Sequence, residues 1–509
     1  MLDFTKGDLA WIGSGQAATV APSTEGLVIT ATGVDPWVES TETLAIPNPG
    51  RAHRVTLRLR TTGGPAFELF HGPTFRAAQS ARLMVAGGGD WVETSVVLPS
   101  MDASTRLRLD PPAGDSTTVL QGITITELPR IDPPALPPFA APTFAGDVLA
   151  LSEAGLGLRH NGREWGGFSV SHGGQPLVIG STSDVLGLWV GEELRWLPFS
   201  GADVTVTPRG RALIERAVFR PEDGPQVVIT REIEPDPVAG KVDFRVEAKA
   251  SEHARVHHIP WGTLFAGAGE GGFGASKAQG LLAGAEYLAD EPSSSTLDIE
   301  TADHDRRVAA PYKLTMPLMG VASQGKTVGV LWGQGPHVQQ VFDSPDRTLG
   351  SGGHLMALWG PAVGEHRLER ELWGMTPMEL AAGEALSAEF SILVGEGESV
   401  VPMIQQAVAA MGGFPPIPEP MPRQRAMEIL AAGWLQSGLA DPETRMWRHA
   451  LWQGFGPAPG ADAALHLMYL HQTLDDPQLR SGALWAAEGQ IKRRMAAPGA
   501  PDPANMSRL

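Results

Sequence analysis

The stretch GAEYLADEPSSSTLD, residues 284–298, brings Glu286, Asp290 and Glu291 together beside Tyr287 and three serines. Glycosidic cleavage needs paired carboxyl groups. One protonates the leaving oxygen and the other activates water or attacks carbon, with about 6.5–9.5 Å between them for inversion. The same residues also describe a solvated acidic turn whose hydroxyls cap backbone amides. A second stretch, GLADPETRMWRHALWQGF at 438–455, gathers Trp447, Arg448, His449 and Trp452. Flat aromatic faces suit the C–H faces of pyranose rings, and Arg and His donate to hydroxyls, so these four carry the chemistry of a sugar subsite wall. The competing reading has the two tryptophans sealing one domain against another. Of the pair, Trp447 is expected to bind and Trp452 to pack.

Other clusters read more plainly. His257, His258 and Trp261 precede the glycine-rich GAGEGGFGAS, residues 267–276. Adjacent histidines on a strand point to opposite faces, so no metal is expected there. The glycine run lacks a following helix and a Lys-Ser/Thr pair, so it reads as a rim loop and not as a phosphate cradle. No nucleophile elbow, zinc-protease helix or EF-hand loop occurs, and no cofactor is expected.

The elements that must position these residues are mostly strands. Gly and Pro number 61 and 43 among 509 residues, a turn-dense composition suited to many short strands. That length exceeds one hydrophobic core and predicts two to four domains. Residues 1–128 alternate apolar and polar positions in GLVITATG, RVTLRLRTTGG, AFELFHG, DWVETSVVLPS, TRLRLDPPAG and QGITITEL, which predicts a β-sandwich. Residues 129–144 are proline-rich, beginning PRIDPPALPPFAAP, and predict an extended, semi-rigid linker. Residues 145–412 resume the strand pattern on a larger scale, enough for two large stacked antiparallel sheets, a β-supersandwich.

After FPPIPEPMP the pattern turns helical, in residues 413–509. Met427, Leu430, Ala431, Trp434 and Leu435 share one helix face. GADAALHLMYLHQTL is apolar on nearly every side, as a buried helix is. The next helix opens with Asp476 as N-cap and Pro477 at its first position. The expected fold class is therefore multidomain and mainly β, with C-terminal helices alternating between exposed and buried.

The order W…FELF…DWVE…LRLDP…ITI in residues 1–128 resembles the galactose-binding-like jelly rolls appended to carbohydrate-active enzymes. Supersandwich, linker and alternating helices resemble the glycosidases and glycoside phosphorylases that join a β-supersandwich of the galactose-mutarotase-like kind to a six-hairpin (α/α)6 toroid. EYLADEPSSSTLD through PYKLTMPLMGV looks like uncharacterised bacterial members of that group. The resemblance implies a glycoside hydrolase using paired carboxylates, with a noncatalytic carbohydrate-binding or surface protein and a glycoside phosphorylase as alternatives. It also implies a toroid cut short, since twelve helices need roughly 350 residues and about 90 remain. The second catalytic acid is then expected beyond Leu509.

Charge and hydropathy narrow the partners. A net charge of −18 disfavours nucleic acid, which is bound through Lys and Arg contacts to phosphates. An oligosaccharide or polysaccharide fits better. No segment approaches the roughly twenty apolar residues that span a bilayer, and the start MLDFTKGDLAWIGSG has neither the basic nor the apolar region of a signal peptide. A soluble chain without a membrane partner is expected. The absence of cysteine excludes disulfides, thiolate metal sites and cysteine nucleophiles, and leaves the compartment open.

Overall fold

The computed structural model describes residues 2–496 apart from 7–9, 16, 33–34, 65, 77–78, 86, 99, 113, 130, 137–138, 145–148, 290–306, 414–420, 442, 449–457 and 459–462. The protein is mainly β and multidomain. It divides into two units, one holding Met1–Glu127 and Pro415–Leu509, the other Leu128–Phe414.

The N-terminal sandwich has two antiparallel sheets. One follows the order Ala18–Ser23, Gly26–Ala31, Ser116–Glu127, His53–Thr61, Val92–Leu98, with Leu2–Asp3 paired to Ser116–Glu127. The other runs Trp11–Gly13, Val38–Ser40, Arg106–Asp110, Ala66–Gly72, Ser80–Met84. Strand His53–Thr61 shows how alternation produces this layer. Val55, Leu57 and Leu59 point inward and are fully buried, while Arg54, Thr56, Arg58 and Arg60 lie on the other face. Each such side chain contributes about 1.5–3 kcal/mol. Phe4 closes one end edge-on against Trp11, with centroids 5.8 Å apart.

In the same unit, helices Arg423–Leu435, Ala463–Thr473 and Pro477–Ala496 pack around Met427, Ala431, Leu467, Leu470, Ala483 and Ala487. Asp476 Oδ1 accepts the backbone N–H groups of Gln478 and Leu479 at 2.8 and 3.1 Å, the expected cap. The helix expected to be buried on all sides is not. Leu465 and Tyr469 are exposed, because Arg423–Leu435 and Pro477–Ala496 cover only one side of it. None of the described helices is long and apolar enough to cross a membrane.

The second unit is built on a ten-stranded and a nine-stranded antiparallel sheet, both far larger than those of the N-terminal sandwich. Strand Ala254–Ala266 is the hub of the first and pairs with Gln175–Gly180, Val185–Val190, His354–Gly360 and Met378–Leu380. The common core includes Phe168, Phe244, Trp261, Val330 and Phe390, with Phe244 and Phe390 stacked at 4.5 Å. Gly262 is required here, since a Cβ on it would meet the Phe390 ring at 2.6 Å. On the nine-stranded sheet, helix Val401–Ala410 seats Met403 over Gly320 and Gly329, where a Cβ would meet its sulfur at 2.2 and 2.6 Å.

A buried ionic cluster crosses this core. Glu215 accepts from His160 Nε2 at 2.7 Å and Gly166 N–H at 2.9 Å, and pairs with the Arg231 guanidinium. His160 Nδ1 accepts the Gly162 N–H, which fixes the tautomer that donates to Glu215. Arg231 also lies 4.1 Å from the Trp165 ring centroid. Burial pushes the Glu215 carboxyl up, but Arg231, His160 and the Gly166 N–H outweigh it and hold it below its ordinary value.

The proline-rich segment does not run clear of the sandwich as a free linker would. Phe139 packs edge-on against Phe265 at 4.8 Å, and Trp196 Nε1 donates to the Asp132 carbonyl at 3.0 Å. Proline fixes its extended backbone, and the apolar side chains Leu136 and Phe139 give that backbone a surface to hold.

Candidate functional site

The outer face of the five-stranded sheet carries a half-buried polar network. In Arg106–Asp110 the leucines point inward, leaving Arg106, Arg108 and Asp110 on the outer face. Neighbouring strands add Glu39 opposite Arg108, and Glu68 and Phe70 opposite Asp110 and Arg108. Arg108 forms a bidentate pair with Asp110 at 2.7 Å through both contacts. Its guanidinium carbon lies 5.1 Å from the Trp37 ring centroid and 5.0 Å from that of Phe70. Arg106 reaches Glu39 at 3.4 Å and lies 5.0 Å from the Phe75 ring centroid. Ser80 donates to Glu68 at 2.6 Å. Burial, with the charges of Asp35 and Glu68, pushes the Asp110 carboxyl above its ordinary value despite Arg108. The result is a row of planar donors and acceptors, flanked by three aromatic rings, on a surface that solvent still reaches.

The second unit holds a different kind of site under the proline-rich strap. A cavity of about 20 Å³ is lined by Asp184, His258, Thr263, Trp359 and Trp373, with Leu136 and Phe139 of the strap over it. Trp359 and Trp373 stack at 5.4 Å and 11°, and Trp359 Nε1 donates to Thr263 Oγ1 at 2.8 Å. Burial pushes the Asp184 carboxyl up to about 7, against the Thr263 and Ser181 hydroxyls and Arg231, which lower it. Burial and the charge of Arg367 hold His258 well below the ordinary imidazole value.

The adjacent histidines have separate partners. His257 Nε2 donates to the Gly374 carbonyl at 2.9 Å and its Nδ1 accepts from Trp189 Nε1 at 3.3 Å. Both histidines touch the Trp196 ring. Among the described residues no three His, Cys, Asp or Glu groups converge as metal ligands. The glycine-rich loop 267–276 is anchored by Phe273, which is buried in the sandwich core.

The residues singled out by sequence are divided between the two units. Glu286 is buried in Glu286–Leu288, the edge strand of the nine-stranded sheet, and Tyr287 beside it is exposed. Asp290, Glu291, His449 and Trp452 lie outside the described residues. Trp447 is half-buried against the helical core, edge-on to Trp434 at 4.8 Å, and its Nε1 donates to the Trp434 carbonyl at 2.8 Å. Arg448 is exposed and reaches Asp441 at 3.4 Å. The segment before Trp447 forms a small ribbon, Ala440–Asp441 against Met446–Trp447. Asp441 Oδ1 takes the N–H groups of Glu443 and Thr444, and Arg445 turns back with φ 57°. Sequence reasoning singled out neither Asp184 nor the Arg106–Asp110 face. The alternation RLRLD was a usable signal for the second, since it puts three ionic groups on one side of a strand.

No family model matches the chain, and no curated protein matches it. Solved structures that match include the α-N-acetylgalactosaminidase NagBb from Bifidobacterium bifidum, at 15% identity over 64% of this chain and 49% of that one, with a TM-score of 0.38. A putative aldose 1-epimerase from Escherichia coli K12 matches at 13% identity over 49% of this chain and 99% of that one, TM-score 0.27. The C-terminal CBM6 of LamC, a marine laminarinase from Zobellia galactanivorans, matches at 15% identity over 25% and 98%, TM-score 0.20. The chain spans about half the length of the galactosaminidase. At these scores the likeness carries no argument about activity.

Proposed function

We propose that the chain is a carbohydrate-active protein whose N-terminal sandwich binds a neutral oligosaccharide on its five-stranded face. The observation that carries this reading is the Arg108–Asp110 pair set between Trp37 and Phe70, with Arg106, Glu39 and Glu68 in the same row. Vicinal hydroxyls of a pyranose present donor and acceptor together, which suits bidentate carboxylate and guanidinium groups, while the C–H faces suit the rings. The four carboxylates Asp35, Glu39, Glu68 and Asp110 outnumber Arg106 and Arg108, which disfavours a uronic-acid polymer. Titration calorimetry of the full chain against neutral oligosaccharides tests this. Trp37→Ala and Phe75→Ala are expected to lower affinity at least tenfold. Unchanged affinity in both variants overturns the assignment.

Hydrolysis by paired carboxylates is the activity this reading extends to, with Glu286, Asp290 or Glu291 as candidates for one of the two acids and a partial α/α toroid as the catalytic domain. Tyr287 is a proposed sugar contact of the second unit, and Arg448, His449 and Trp452 are proposed sugar contacts of the first. The exposure of Tyr287 beside Glu286 favours a contact there, whereas the packing of Trp447 into the helical core favours a structural role for that residue. Release of reducing sugar, lost in Glu286→Gln, is the assay. The noncatalytic binding protein is the alternative that survives if no sugar is released.

A further inference from the structure

The cavity under the strap contains two buried polar atoms with nothing to bond to. Asp184 Oδ2 and His258 Nδ1 both lack a partner, and both residues line the cavity. An orphaned buried carboxylate oxygen costs a few kcal/mol and calls for an occupant. About 20 Å³ admits one or two water-sized groups, each needing roughly 10–15 Å³. Thr263 Oγ1 already accepts from Trp359, so its own proton is available to Asp184. The rings of Phe139, Phe265, Trp359 and Trp373 line its walls, and aromatic faces are electrostatically negative.

We propose that this cavity is a site for a small primary ammonium ion, ammonium itself or one of methylammonium size, held by the free oxygen of Asp184 against Trp359 and Trp373. Such an ion supplies N–H donors to Asp184 Oδ2 and His258 Nδ1 and gains cation–π attraction from the rings. It also compensates the carboxylate charge, which a water or alcohol leaves uncompensated. The charged groups facing Asp184 are Arg231 and Glu215, and these are paired with each other and with His160. From the neighbouring strand His258 faces the cavity in its neutral form, kept so by burial and by Arg367. The wholly buried Arg367, whose nitrogens have no partner, is the other cation whose charge reaches His258.

Thermal unfolding of the full chain at pH 8 in 100 mM ammonium or methylammonium chloride tests the proposal. Equal sodium chloride, tetramethylammonium chloride and methanol serve as comparisons. The two primary ammonium salts are expected to raise the melting temperature of the sandwich unit by about 2–3 °C over the others. The shift shrinks at pH 6, where a proton competes for Asp184, and vanishes in Asp184→Asn. Should that variant not fold, calorimetry of the wild type at pH 7 in two buffers of different ionisation enthalpy replaces it, and binding is expected to release protons. Equal responses to methanol and ammonium, a response retained in the folded Asp184→Asn, or no proton release would show a buried water site and overturn the proposal.

Discussion

Replacing Glu215 by Gln puts the buried cluster of the supersandwich to a quantitative test. In the native protein Glu215 compensates Arg231, accepts from His160 and takes the Gly166 N–H, all within a fully buried site. Glutamine keeps the shape but leaves the Arg231 charge buried without compensation. Removing one partner of a buried pair costs about 3–5 kcal/mol. At about 2–4 °C per kcal/mol for a unit of this size, the expected drop in melting temperature is on the order of 10 °C. Glu215→Gln combined with Arg231→Met removes both charges and is expected to recover most of the loss, because an apolar replacement of a buried pair is often neutral. Urea unfolding followed by tryptophan fluorescence, with calorimetry to separate the transitions of the two units, measures both. The wild-type contribution of Glu215 is present above its unfolded value near 4.5 and is lost as pH falls toward its lowered folded value. A loss below 1 kcal/mol in the single variant, or a double variant worse than the single, would refute the account.

Three further outcomes follow from the same structure. Asp184→Asn is expected to stabilise the sandwich unit at pH 8 by up to about 4 kcal/mol. The raised carboxyl, titrating near 7 against 3.8 when unfolded, costs stability progressively as pH rises between those values. His257 and His354, both pushed down to about 4 by burial, act in the opposite sense: stability is lost as pH falls from 6.5 toward 4, which equilibrium unfolding across that range detects. Trp447→Ala should destabilise the helical segment by about 2 kcal/mol or more, whereas Trp447→Phe should cost only about 0.5–1.5 kcal/mol for the lost bond to the Trp434 carbonyl, as read by local hydrogen exchange.

Much of the architecture was legible where a local period controls the outcome. HRVTLRLRT alternates strictly, and it forms a strand with one buried side. Asp476 followed by Pro477 opens a helix, as cap chemistry requires. Composition alone did not reveal where the proline-rich segment lies, because proline dictates extension while Leu136 and Phe139 decide what it touches. The sites were harder to read. Asp184 stands in GSTSDV, a string that looks like a surface turn, and its significance comes from burial by strands and a strap distant in sequence. The Arg106–Asp110 face was half legible. Its ionic side follows from alternation, but Trp37, Phe70 and Phe75 reach it from other segments.

Strand Ala254–Ala266 has a consequence for the birth of the molecule on the ribosome. Two of its partners, Gln175–Gly180 and Val185–Val190, are made before it, but His354–Gly360 and Met378–Leu380 follow much later. The flank of Ile259–Ala266 is filled by His354–Gly360, which is complete 360 − 266 = 94 residues after Ala266, so at about 5–20 residues per second it waits roughly 5–19 s unpaired. Its inward side carries Trp261 and Leu264, so during that interval the nascent chain displays an apolar, hydrogen-bond-hungry edge. Slow decoding downstream of residue 266 would therefore lengthen the exposure, and the yield of folded protein should depend on translation speed through residues 267–380 more than through residues 1–127.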